Sequence, residues 1–292
     1  MRNMGVVDGV CHSAFGCGGI GVTTIALVLL TVALALLVLA AIVHVHEASS
    51  VVAEERKRLL NERDAFDAFA RRISGLEVSE VPAAVHATGG IATATSIGAD
   101  DRLDQVQDAY RDTVMSVAHY DSDYGEPLPE NIAAEFGEGL AVAVVEGRRF
   151  TPQLKAALLA SSEEASRSRA AFLSTLEDEA QALSDARETM ETIDAERESI
   201  AAAPLTSRSF EALVDDWNRL GVLSEQCRTM LRDRQEVIRS RSAERLSSAP
   251  DLNDYLYDDL PVSYPVLSDL TSLSESIDSF RSRVLDSLTR RV

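Results

Sequence analysis

Twenty-four consecutive residues, Ile20 to Val43, carry no charged side chain. Only Gly21, Thr23, Thr24 and Thr31 interrupt Leu, Val, Ala and Ile. As a helix rising about 1.5 Å per residue, this run reaches roughly 36 Å, enough to cross a hydrocarbon layer of about 30 Å. A lone helix satisfies its own backbone in lipid, so the threonine hydroxyls are tolerated. A cleaved leader fits less well. The apolar run is too long for one, only Arg2 precedes it, and no small-x-small cleavage site follows. The expectation is a disordered lead over 1–19 and a transmembrane helix over 20–45. Basic residues gather just after the run (Arg56, Lys57, Arg58, Arg63), which orients the C-terminal bulk to the cytoplasm of a single-pass membrane protein.

Two motifs at the ends of this run are decoys. Gly16-Cys17-Gly18-Gly19-Ile20-Gly21 satisfies G-x-G-x-x-G, and Val22 stands where a Walker lysine would be. Phosphate binding needs a strand before the glycines and a soluble helix after them, and here they open an apolar span. His44 and His46 with Glu47 resemble a metal cluster, but residues two apart on a helix diverge. Cys11, Cys17 and Cys227 have no paired spacing for a disulfide framework or a four-ligand zinc site.

Charge locates the rest. The chain holds 47 acidic and 28 basic residues, a formal −19, and all the bases but Lys57 and Lys155 are arginine. Residues 1–46 contribute only Asp8 and Arg2, so the whole excess lies beyond them. Such a surface repels nucleic-acid phosphates. The acids are scattered rather than blocked, which fits a fold adapted to high salt, where counterions screen self-repulsion.

That acidic part reads as all-α. Val52, Leu59, Phe66 and Ile73 recur every seven residues in a juxtamembrane helical stalk over 46–76, running on from the span. Residues 77–100 hold Pro82, Gly89, Gly90 and Gly98 without a period and read as a flexible linker. A bundle over 101–292 follows. Its first helix, 101–118, turns Leu103, Val106, Tyr110, Val114 and Val117 inward. Thr151-Pro152 opens a helix with a hydroxyl cap and Pro at the first position, and no Gly or Pro follows until Pro204. Thr206 or Ser207 caps the next. The two segments, 151–203 and 207–247, should fold back as a long antiparallel coiled-coil hairpin. Arg169, Glu179 and Arg197 interrupt the apolar seam of the first. A last helix spans 266–291.

All six tyrosines fall in two patches, Tyr110, Tyr120 and Tyr124, then Tyr255, Tyr257 and Tyr264. They can plug the bundle ends or, for Tyr120, Tyr124, Tyr255, Tyr257 and Tyr264, form a shared partner-docking surface. Asp121, Asp123 and Gly125 fall short of a calcium loop, because Ile132 stands where the twelfth-position acid belongs.

The apolar span followed by His44-Val45-His46-Glu47, the stalk Phe66-Asp67-Ala68-Phe69-Ala70-Arg71-Arg72, the segment from Tyr110 to Tyr120 with Glu126-Pro127-Leu128, and the segment from Tyr255 to Leu267 resemble an uncharacterised haloarchaeal family of single-span helical proteins. The resemblance covers most of residues 40–292. It implies a salt-rich cytoplasm and carries over no catalytic residue. No Ser/His/Asp, Cys/His or H-E-x-x-H arrangement occurs among the five histidines. The reading is therefore a membrane-anchored scaffold, adaptor or signalling component rather than an enzyme, with no cofactor and no metal. Its partners are the lipid bilayer and a protein partner or a second copy. The alternative is a membrane sensor that binds a small ligand between helices, at the seam breaks.

Overall fold

The computed structural model describes residues 42–78, 101–244 and 251–291. The N-terminal lead, nearly all of the expected span and most of the 77–100 segment lie outside these residues. Among the described residues there is no strand, and no helix is long and apolar enough to cross a membrane.

Nine helices occur among the described residues: α1 (Val43–Gly75), α2 (Asp101–Arg111), α3 (Tyr120–Asp123), α4 (Leu128–Phe136), α5 (Glu138–Val145), α6 (Pro152–Ala201), α7 (Phe210–Glu244), α8 (Leu252–Tyr257) and α9 (Pro265–Thr289). At about 1.5 Å per residue α6 is a rod of roughly 75 Å, and the other elements are arranged along it. Its start follows from sequence. Thr151 Oγ1 accepts the Leu154 N–H at 3.1 Å, and Pro152 follows the cap. Pro204 ends the rod. Ser209, rather than Thr206 or Ser207, then accepts the Ala212 N–H on its side-chain oxygen at 3.2 Å and starts α7. The helix expected over 101–118 stops at Arg111 and tightens into a single 3₁₀ turn at Val114–Ser116.

Two apolar cores divide the rod. In one, Val45, Ala48, Val52 and Leu59 of α1 meet Leu176, Leu183, Met190 and Ile200 of α6, Leu213 and Leu220 of α7, and Leu270, Ile277 and Val284 of α9. In the other, Phe66, Phe69 and Ile73 of α1 and Leu154 and Leu158 of α6 are covered by Leu103, Val106 and Tyr110 of α2, Ile132 of α4 and Val144 of α5. Phe69, Tyr110 and Phe136 form edge-on or tilted ring contacts with centroids 5.2–5.9 Å apart. Burying a large apolar side chain contributes about 1.5–3 kcal/mol, so these stripes dominate helix pairing.

The pairing itself differs from the expected one. The segment expected as a stalk is a wall of the bundle: α1 packs antiparallel along α6, and this is the most extensive helix contact. α7 does reverse direction after α6 but packs chiefly on α9. The coiled-coil hairpin is thus two helix pairs, α1 with α6 and α7 with α9, sharing one core. An a/d stripe reports that a face is buried, not which partner buries it. Lys155 closes the far end of α1, its Nζ donating to the carbonyls of Ser74 and Leu76 at 2.8 and 2.7 Å.

Candidate functional site

The charged residues that interrupt the α6 seam are each answered by a partner. Glu179 is fully buried. Its Oε1 accepts from Arg234 Nη2 at 2.5 Å and from the Tyr257 hydroxyl at 3.0 Å, and its Oε2 accepts from Arg241 Nη1 at 2.6 Å. Burial alone would raise its pKa, but the two guanidiniums outweigh burial and hold it below the ordinary carboxylate value. Burial, with the charge of the same carboxylate, pushes the Tyr257 phenol above its usual range, so Tyr257 stays a neutral donor. Arg197 pairs with Asp194 at 2.6 Å.

Arg169 organises the largest polar cluster. Its Nη1 and Nη2 grip Glu135 of α4 at 2.9 and 2.6 Å, and its Nε donates to Glu62 Oε2 of α1 at 3.1 Å. Glu62 also meets His119 Nε2 at 3.0 Å and accepts from the Tyr124 hydroxyl at 2.9 Å. The guanidinium lies 4.8 Å from the Phe66 ring centroid. Burial would lower the Arg169 pKa, but hydrogen bonds and charge from Glu135 and Glu62 raise it. The space these groups enclose is about 10 Å³, room for roughly one water and no organic ligand. The cluster ties α4 and the α2–α3 connection to α1 and α6. Chemically it is a lock, with every acid and base directed at another protein group.

The five tyrosines expected as a docking surface divide. Tyr120 and Tyr257 are buried, and their hydroxyls donate to the Glu126 carbonyl at 2.9 Å and to Glu179. Tyr124 and Tyr255 are 38% and 50% exposed and lean on the same side of α1, donating to Glu62 and Glu55. Those two carboxylates are two helical turns, roughly 10 Å, apart. Arg58 and Asp123 pair between them at 3.4 Å, and Phe172 meets the Tyr255 ring at 5.5 Å. Tyr264, 41% exposed, precedes α9. The structure therefore brings Tyr124 and Tyr255 to one face and uses Tyr120 and Tyr257 as interior props.

Sequence reasoning missed Asp269, which is 1% exposed. Its Oδ2 accepts the Val45 backbone N–H at 2.8 Å and its Oδ1 lies 2.6 Å from His44 Nδ1. A carboxylate from α9 thus caps the first turn of α1 across 224 residues of chain. Burial raises the Asp269 pKa despite these contacts. The only local signal was an acid inside the apolar pattern of the last helix. His46 points away into solvent, and no group of three or more His, Cys, Asp or Glu able to hold a metal occurs among the described residues. The Cys227 thiol is buried and pushed up to about 11, which leaves it unreactive. The glycine motif, Cys11 and Cys17 lie outside the described residues.

The chain belongs to a family described as a domain of unknown function, DUF7260, which matches residues 43–281. The match opens on the first residue of α1 and closes inside α9, so it covers the helical bundle and leaves out the apolar run. No curated protein and no solved structure matches the chain.

Proposed function

We propose that this member of the DUF7260 family is a membrane-anchored, acidic helical scaffold or signalling adaptor, with residues 20–41 in the bilayer and the bundle on its cytoplasmic side. The supporting observation is the surface that lies ahead of α1. Ser166, Arg169 and Glu177 of α6 face α1; on the same helical face Arg187 lies level with the first turn of α1, and Glu191 and Glu198 continue beyond it. Arg187 and Glu191 pair loosely at 3.7 Å and are 43% and 60% exposed. An apolar continuation of α1 along this face would strip water from those charges, at a cost of several kcal/mol per ion. The apolar run must find its apolar surroundings elsewhere, and its length suits a bilayer.

Scattered acids suit the bundle to concentrated salt, consistent with the haloarchaeal resemblance. The rigid, ion-paired interior supports a holding role rather than catalysis or nucleic-acid binding. A sensor taking a small ligand at Arg169, Glu179 or Arg197 has less support, because each of these is occupied by protein partners. Cross-linking mass spectrometry in native membranes at high salt tests the scaffold role. Reproducible links from α1 or α7 to one partner protein, or to a second copy, are expected. Recovery of the chain with internal links alone would refute it.

A further inference from the structure

α6 and α7 are clamped together at two levels. Glu196 pairs with Arg219 toward the Pro204 end, and Glu179 pairs with Arg234 toward the other. Between the clamps an open groove of about 520 Å³ runs along the surface. Thr189, Thr192 and Ile193 of α6 and Val222 and Met230 of α7 wall it. Few free donors face it. The hydroxyls of Thr189 and Thr192 donate to the carbonyls of Asp185 and Glu188 at 2.8 and 2.9 Å. On the rim Arg232 donates to Thr229 and to Glu225 at 3.0 and 3.1 Å.

A knob stands beside this hole. Val222 is 59% exposed, the most of any large apolar side chain among the described residues. The two clamps set the α6–α7 register and put Val222 level with Thr192. Knob and hole on one face at one level are what an isologous pair of identical subunits requires. A two-fold axis along the groove lays α7 of each copy over α6 of the other and keeps the levels. Each Val222 then enters the other groove at Thr189, Thr192 and Ile193.

Charge selects the same axis. From 178 to 196 the only base on α6 is Arg187, which lies on the α1 side and pairs with Glu191. The stripe that holds Thr189 and Thr192 carries Asp178, Asp185 and Glu196 instead. A two-fold axis across the groove would stack these acids on their own copies. Exposed α7 between 219 and 239 has four arginines and three acids, so it is the better cover. Arg219 and Arg232 of one copy come within about a turn of Glu196 and Asp185 of the other. Nothing else in the bundle covers this face. α1 and α9 lie behind it on the buried stripes. The apolar core that α2, α4 and α5 share with α6 ends at Ala165, about 30 Å short of Asp185.

Resting on the scaffold reading above, we propose that its partner at this face is a second copy of the chain, paired through the α6–α7 groove with α7 of each copy over α6 of the other. The four helices then form an antiparallel bundle between subunits.

The test uses the full chain, with Cys11 and Cys17 changed to Ser, in mild detergent and molar KCl. Light scattering should give a protein mass of two copies. Val222→Glu sets a carboxylate in the groove and should weaken pairing at least tenfold with helical circular dichroism unchanged. Val142→Glu, at a similarly exposed valine of α5, should leave pairing intact. Oxidation of a Thr192→Cys pool mixed with a Val222→Cys pool should link copies at least fivefold faster than either pool alone, because like helices lie diagonally, beyond the ~7 Å reach of a disulfide. A one-copy mass for the parent chain, or a pair that Val222→Glu leaves intact, overturns the self-pairing, while links from α7 to a different protein would still support the scaffold role. Faster linking within the Val222→Cys pool alone overturns the placement of α7 over α6.

Discussion

Removing the Glu179 carboxylate is the sharpest perturbation of the bundle interior. Glu179→Ala leaves Arg234, with a side chain only 10% exposed, and the partly covered Arg241 without their anion. It also strands the hydroxyl of the fully buried Tyr257. Breaking a buried pair by deleting one partner costs about 3–5 kcal/mol, because the remaining charge stays desolvated. In a bundle of this size that corresponds to a fall in Tm of roughly 10 °C. Arg241 can swing partly into water, which places the loss toward the lower end of that range. Denaturant titration of residues 43–292 in molar KCl, followed by circular dichroism, reads it. Replacing the whole unit, with Glu179→Met, Arg234→Leu, Arg241→Met and Tyr257→Phe, should return most of the loss, since well-packed apolar side chains need no counter-charge and no hydroxyl is left stranded. The pH profile supplies a second reading. The folded-state pKa of Glu179 is lowered, so its contribution is present above the ordinary carboxylate value and is lost as pH falls through the lower folded value. Glu179→Gln should flatten that acid limb. A Glu179→Ala variant within about 0.5 kcal/mol of the parent, the range of inert surface changes, would refute the reasoning.

Three further outcomes follow from the same contacts. Thr151→Ala should cost about 1 kcal/mol by removing the cap on the Leu154 N–H, with Thr151→Ser restoring it. Tyr257→Phe should destabilise by about 1–3 kcal/mol, because a buried Glu179 lone pair loses its donor, whereas Tyr124→Phe on the exposed face should cost under about 1 kcal/mol. Thermal melts of residues 43–292 should rise in midpoint between dilute buffer and molar KCl, and an unchanged midpoint would contradict the role assigned to the scattered acids.

Helix positions were legible because their signals are local. Val52, Leu59, Phe66 and Ile73 keep a seven-residue spacing and are all buried. Thr151-Pro152 starts a helix wherever it is placed, and Pro204 ends one. Partner choice was not legible. The connection at 202–209 made α6 and α7 the natural pair, yet α1 offered α6 a longer matching stripe and left α7 to α9. The polar interruptions were visible as anomalies, but Arg169 is answered by Glu62, 107 residues away, and Glu179 by Arg234, 55 residues away. No spacing rule reaches that far. Asp269 was hidden for the same reason, since its partner is the start of a helix 224 residues earlier. Of the tyrosines, clustering beside prolines was visible. Which ring turned inward was not, because Tyr257 meets Glu179 from 78 residues away and Tyr120 the nearby Glu126 carbonyl, while Tyr124 stays partly exposed on Glu62.

Anchoring through residues 20–41 is the claim on which the rest depends. Alkaline carbonate extraction of membranes bearing the full chain, beside the chain begun at residue 43, tests it directly. The full chain should stay in the membrane pellet, and the shorter one should be released as a folded helical protein. Release of the full chain into the carbonate supernatant would contradict it.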